Sequence, residues 1–259
     1  VTERLLAKRE GALGWIVFNN PDRRNAVSLD MWQAIPSVLD DFEKDSNIRV
    51  VVLAGAGDKA FVSGADISQF ESQRSSQEGV QRYEEVAEAA QAKLATFDKP
   101  VIAMIRGYCL GAGVNIANVC DLRIAAEDAR FGIPAAKMGL GYRASSMKNL
   151  VDIVGVARAK EMMLTARQFS AAEALQMGLV HRVVAVAELE SFTKKSCDEI
   201  AANAPLTMRA AKRVIGEVAK ADYDAASCRS WVRECFDSED YAEGRRAFME
   251  KRKPQFRGR

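Results

Sequence analysis

The sequence predicts an α/β body running to about residue 200 and an all-helical tail over 201–259. Three observations carry that expectation. Short β-prone runs alternate with helically spaced apolar residues through about the first 145 positions. Glycine-rich turns separate them. Beyond that point the strand signal nearly vanishes, and capping residues and prolines mark helices instead.

The elements follow in order. Residues 15–18 (Trp-Ile-Val-Phe) form a strand between Gly14 and the Asn19-Asn20-Pro21 turn. Ser28 caps a helix reaching about Glu43, with Pro36 expected to kink it. Residues 50–53 are a buried strand closed by Ala54-Gly55-Ala56-Gly57-Asp58. Val86, Ala89, Ala90, Leu94 and Phe97 share a helical face over 83–97, which Lys99-Pro100 ends before a strand at 101–105. Residues 107–113 form a glycine-rich turn, 114–119 a helix of small residues and 122–125 another strand. These αβ units are too short for a standard doubly wound sheet. Ser170-Ala171-Ala172-Glu173 is a capping box, with Gly178 just past the short helix it opens. Pro205 opens a helix to Ala219, and Ser238 caps a last helix through Lys251, stopped by Pro254.

Composition narrows the chemistry. Lys+Arg is 37 and Asp+Glu 35, so the net charge of +2 speaks against a nucleic-acid partner or a polybasic membrane anchor. No apolar run approaches the ~20 residues of a membrane span, and the opening VTERLLAKRE lacks a signal-peptide core. The odd set of cysteines (Cys109, Cys120, Cys197, Cys228, Cys235) has no CxxC pair, which fits a reducing, cytoplasmic setting. The single histidine, His181, has no partner motif, so triads and histidine metal sites are not expected and it reads as structural.

Two glycine-containing turns follow strands: Phe61-Val62-Ser63-Gly64-Ala65-Asp66-Ile67 and Gly107-Tyr108-Cys109-Leu110-Gly111-Ala112-Gly113. Neither is a dinucleotide fingerprint, because Ile116 stands where the third glycine belongs, and neither a phosphate loop nor a GxSxG elbow occurs. Such turns are either plain turns or presenters of free N–H groups; two of them together make an oxyanion hole.

The stretch Ala60 to Ile67, then Lys99-Pro100-Val101-Ile102-Ala103-Met104-Ile105-Arg106-Gly107, resembles the crotonase (enoyl-CoA hydratase/isomerase) superfamily. The likeness continues through Gly111-Ala112-Gly113, Cys120-Asp121-Leu122-Arg123-Ile124-Ala125, Thr165-Ala166-Arg167, Ala174 to Val180 and Phe248 to Pro254, over almost the whole chain. It implies a crotonase-type spiral of ββα units over 1–200, with 201–259 as a helical trimerisation region in a trimer or dimer of trimers. It also implies an acyl-CoA substrate, no metal, no cofactor beyond the coenzyme A of the substrate itself, and an oxyanion hole from the N–H groups of Ala65 and Ala112. Coenzyme A contacts are implied along Arg23, Arg24 and Ala26 and from Ser63 through Asp66 and Ile67; Lys251 resembles the lysine that reaches the 3′-phosphate from a neighbouring subunit. Arg23, Arg24 and Lys251 also read as solvated surface charges.

The chain departs from the hydratase pattern at two positions. The family's glutamates are replaced by Asn115 and, after Phe131-Gly132-Ile133-Pro134, by Ala135. Asparagine can hold a water but takes no proton, and alanine does neither. With each acid or base contributing roughly 10²–10⁴, fast hydration is not expected. Gly139-Leu140-Gly141-Tyr142 and the tail from Asp237 resemble the methylmalonyl-CoA decarboxylase branch, in which a tyrosine like Tyr142 lines the site. Tyr142 would bind the departing carboxylate or donate the proton, and Arg143 would pair with a carboxylate; the histidine of that branch is Ala65 here. The expected reaction is therefore decarboxylation or other thioester-enolate chemistry. The alternatives are a hydratase or isomerase using Asn115, Tyr142 or an acid such as Glu71, and a non-catalytic acyl-CoA-binding protein. Asp121, expected to pair with Arg123 or a subunit neighbour, and Cys109 read as structural.

Overall fold

In a computed structural model describing residues 2–66 and 77–259, the chain opens with β1 (Leu5–Glu10), β2 (Leu13–Phe18) and α1 (Leu29–Lys44). Three strand–strand–helix turns follow. The first is β3 (Val50–Gly55), β4 (Ala60–Val62) and α2 (Gln77–Ala95). The second is β5 (Val101–Ile105), β6 (Tyr108–Leu110) and α3 (Ala112–Val119). The third is β7 (Leu122–Ala126), β8 (Arg130–Gly132) and α4 (Ala144–Thr165). Then come β9 (Phe169–Ser170), α5 (Ala171–Gln176), β10 (Arg182–Val184) and α6 (Leu189–Ala201). The tail holds α7 (Pro205–Val218), α8 (Ala225–Phe236) and α9 (Glu239–Glu250).

Each turn gives one strand to each of two sheets. The larger runs β1-β2-β3-β5-β7-β10 and the smaller β4-β6-β8-β9. All neighbours are parallel except β1 with β2 and β8 with β9. This is the expected ββα spiral, and it explains why the αβ units were too short for a doubly wound sheet.

The larger sheet is covered on both faces, which is why β3 reads as an unbroken apolar run. Val51 and Leu53 enter the main core with Trp32, Phe61 and Phe131, while Val50 and Val52 face a second core with Trp15, Ile102 and Leu189 of α6. Charged Lys8, Arg9 and Glu10 sit on the edge strand β1, where they discourage further pairing.

Some elements differ from expectation. Residues 107–113 are not one turn, since 108–110 pair as β6 between β4 and β8. α2 begins before residue 83 and ends before Phe97. Two short strands, β9 and β10, follow residue 145. The helix α4 was not foreseen because Gly155 (φ 75°, ψ 165°) joins two helical segments whose apolar faces are out of phase. The caps at Ser170, Gly178, Pro205 and Ser238 stand as expected.

The tail returns to the body through polar contacts. Asp121 does not pair with Arg123: its Oδ2 accepts from Val101 N–H (2.7 Å) and from Lys212 Nζ of α7 (2.7 Å). Arg123 instead donates to the carbonyls of Leu179, Ala117 and Cys120. Arg213 grips Asp98 with two bonds of 2.8 and 2.7 Å. His181 is structural as expected, its Nδ1 accepting from Arg123 N–H (3.1 Å), and burial holds it below the usual imidazole range.

Candidate active site

Two loops meet where β4 and β6 end. In the first, Val27 N–H donates to Gly64 O (2.8 Å) and Asp66 N–H to Val27 O (2.9 Å). Residues on either side of Ala65 thus bond toward Val27. In an extended chain the Ala65 N–H then points the opposite way, and it has no acceptor among the described residues.

In the second, Gly111 (φ 52°, ψ −109°) turns the chain into α3, a conformation that costs glycine little. The Ala112 N–H lies in the first turn of that helix and has no acceptor among the described residues; Asn115 N–H is the one that reaches Gly111 O (3.2 Å). A Cβ on Gly111 would stand 3.8 Å from Gly64 Cα, so the two turns face each other closely. At Gly113 a Cβ would sit 2.2 Å from Val62 O, so only glycine lets α3 approach β4 this far. Ala65 and Ala112 line one cleft of about 440 Å³.

The same cleft receives Asn115, Ala135 and Tyr142. The Tyr142 hydroxyl donates to Asn115 Oδ1 at 3.0 Å. Burial pushes the phenol up to about 12, an effect the Asn115 bond only partly offsets. Asn115 and Ala135, expected to stand in place of two glutamates, therefore both face the cavity, and neither side chain moves a proton at neutral pH.

On the flank expected to take coenzyme A, Arg23, Ala26, Ser63 and Asp66 line the cleft. Asp66 is buried and its Oδ1 lies 3.5 Å from Arg23 Nη1. The turn is fastened by buried Asn25, which accepts from Asn20 N–H (3.0 Å) and donates to Ala56 O (2.9 Å) and Ala60 O (2.7 Å). Arg24 is not brought to the cleft; its guanidinium stacks 5.0 Å above the Tyr108 ring and lines a separate depression. Lys251 closes α9 with an exposed side chain away from this chain's own cleft. Ile67 and Glu71 lie outside the described residues. Cys109 is fully buried, and burial raises its thiol far above the thiolate range.

Sequence reasoning missed the wall opposite the two turns. It comes from α2 (Glu84, Ala87, Gln91) and from Ser146 of α4, next to Arg143, which the sequence singles out as a partner for a carboxylate. The i, i+3, i+7 spacing of 84, 87 and 91 was the available signal, but it combines a charge, a methyl and an amide and resembles no apolar stripe. Among the described residues no cluster of His, Cys, Asp and Glu suited to a metal is formed.

The raised Tyr142 sets a pH expectation. Its folded pKa lies above the unfolded value of about 10, so stability present below pH 10 is lost as pH rises toward the folded value of about 12. Denaturant unfolding from pH 9 to 12 should show that loss in the wild type and a smaller one in Tyr142→Phe. Identical profiles would mean the phenol is not held neutral by the site.

The family Enoyl-CoA hydratase/isomerase matches residues 8–259. A short-chain-enoyl-CoA hydratase of Clostridium acetobutylicum is 35% identical over 251 residues, covering 96% of this chain and 95% of that protein. A peroxisomal Δ(3,5)-Δ(2,4)-dienoyl-CoA isomerase of Arabidopsis thaliana is 32% identical, covering 93% and 91%. Among solved structures, an enoyl-CoA hydratase/carnithine racemase from Magnetospirillum magneticum superposes with a TM-score of 0.96 at 34% identity, covering 100% of this chain and 97% of that one. With that fold and those matches, the chain belongs to the enoyl-CoA hydratase/isomerase (crotonase) family.

Proposed function

We propose that the protein acts on an acyl-CoA thioester through an enolate, and that loss of CO₂ from a malonyl-type thioester is the reaction the site suits best. One observation carries this reading: Asn115 and Ala135 occupy the cavity where hydration needs two carboxylates. The C2–carboxylate bond breaks and its electron pair enters the thioester as an enolate, so no base is required. CO₂ departs, and the Ala65 and Ala112 N–H groups stabilise the enolate oxygen. A proton from the Tyr142 hydroxyl, or from water it orders with Asn115, then goes to C2. The phenol stays protonated at neutral pH, as a donor must. Similarity to the methylmalonyl-CoA decarboxylase branch around Tyr142 supports this finer assignment.

A second reading is hydration or isomerisation, favoured by the hydratase and isomerase relatives and by Glu84 on the cleft wall. Mass spectrometry of malonyl-, methylmalonyl- and crotonyl-CoA incubated with the purified protein separates the two. We expect CO₂ loss from a malonyl-type thioester and little hydration, with Asn115→Glu plus Ala135→Glu creating measurable hydration. Fast water addition by the wild type, not raised by that double change, would overturn the reading. An acyl-CoA bound but never turned over would favour a binding protein instead.

We further propose that a second copy of the chain covers the tail, in a trimer or dimer of trimers. Phe248, Met249 and Ile215 are 82, 80 and 68% exposed, and such apolar side chains concentrated on helices are costly in water. Sedimentation should show an oligomer that Phe248→Glu with Met249→Lys dissociates; a wild-type monomer at micromolar concentration would contradict it.

A further inference from the structure

The wall between α2 and α4 carries polar groups that the enolate chemistry does not use. Ser146 is 3% exposed and lines the cleft, and its hydroxyl has no partner among the described residues. Gln91 is 7% exposed; one amide N–H goes to Ala87 O (3.2 Å), and the rest of the amide has no partner among the described residues. Both polar ends border the open cleft, where an entering group can bond them. Between them, Ala87 presents only a methyl, which leaves room.

This end of the cleft also gathers hydrogen-bond donors. The N–H groups of Ala144, Ser145 and Ser146 open α4 without acceptors among the described residues, the first helical bond of that turn being Met147 N–H to Arg143 O (3.0 Å). Arg143 crosses from α4 to α2, its Nη1 donating to the Glu84 main-chain carbonyl (2.7 Å), and its remaining guanidinium donors have no partner among the described residues. Glu84 stands at the exposed outer end of the row, and its carboxylate does not pair with Arg143. A guanidinium and an unpartnered hydroxyl that border one space at the start of a helix favour an anion.

We infer that the α2–α4 end of the cleft is a carboxylate subsite for the acyl group, formed by Ser146, Arg143, Gln91 and the first N–H groups of α4. The substrates are then thioesters of dicarboxylic acids rather than plain alkyl chains. This deepens the acyl-CoA reading above and depends on it. The subsite also gives the enzyme a means of excluding ordinary fatty acyl thioesters, which would bury the unpaired hydroxyl and amide without bonding them.

Equilibrium binding tests this without turnover. Sulfoacetyl-CoA carries a sulfonate where malonyl-CoA has its carboxylate and cannot release CO₂; succinyl-CoA places a carboxylate one carbon further; butyryl-CoA is the neutral comparator. At least one anionic thioester should bind roughly 10- to 100-fold more tightly than butyryl-CoA, and which one does so reports the depth of the subsite. Ser146→Ala and Arg143→Gln, checked for unchanged melting, should each shrink that ratio, and together bring it to about one. Gln91→Leu gives an independent check from the opposite helix. Butyryl-CoA binding as tightly as both anions, or a ratio unmoved by all three changes, overturns the subsite. Failure of every thioester to bind removes the acyl-CoA reading and the subsite together, whereas absence of CO₂ release leaves a measured binding preference, and so the subsite, standing.

Discussion

Two peptide N–H groups without acceptors among the described residues, on Ala65 and Ala112, constrain how the rest of the cleft is built. A buried or half-buried donor left unpaired is unfavourable, so the surrounding backbone has to hold each in place by bonding everything around it. Val27 does this for the first turn by taking both neighbours of Ala65. Gly132 does it for the second by accepting from Gly111 N–H (2.9 Å). Gly111 supplies the left-handed turn into α3, and the close approach of α3 to β4 depends on Gly113, where a Cβ would stand 2.2 Å from Val62 O. An alanine at 65 or 112 loses nothing by this arrangement, since the group at work belongs to the main chain.

The spiral supplies the rigidity that such a site needs. Each turn places one strand in either sheet, so β4 and β6 are neighbours although α2 separates them in sequence. Their ends, and the loops that follow, are fixed by ladder hydrogen bonds rather than by flexible connections. The tail adds a further brace through Lys212 on Asp121 and Arg213 on Asp98, which tie α7 to the residues that lead into β7 and β5. In the proposed reaction the backbone geometry would hold the enolate, and the side chains around the cleft would select the acyl group.

How much of this could be read from the sequence depends on how local the determinant is. The turns at 63–66 and 111–113, the caps at Ser170 and Ser238 and the strand at 50–53 each carry their information within a few residues. The family resemblance likewise pointed to Ala65 and Ala112, which the fold brings to one cleft, because a glycine turn after a strand is a contiguous motif. Arg24 was misplaced because adjacent arginines look alike in sequence, whereas the left-handed conformations at Arg24 and Asn25 send one toward Asp66 and the other onto Tyr108. Asp121 was misassigned because its partner Lys212 lies ninety-one positions away. The α2–α4 wall was invisible for the same reason: Gln91 and Ser146 become neighbours of one cavity only after the third turn of the spiral closes.

The central claim is that the Ala65 and Ala112 N–H groups jointly polarise a thioester carbonyl. The most direct measurement is infrared difference spectroscopy of an acyl-CoA labelled with ¹³C at the thioester carbonyl, bound to the protein. Two converging donors should move the C=O stretch clearly below its position in water, because the bond gains enolate-like character in the ground state. A carbonyl band at its aqueous frequency, in a complex shown to be saturated, would contradict the account.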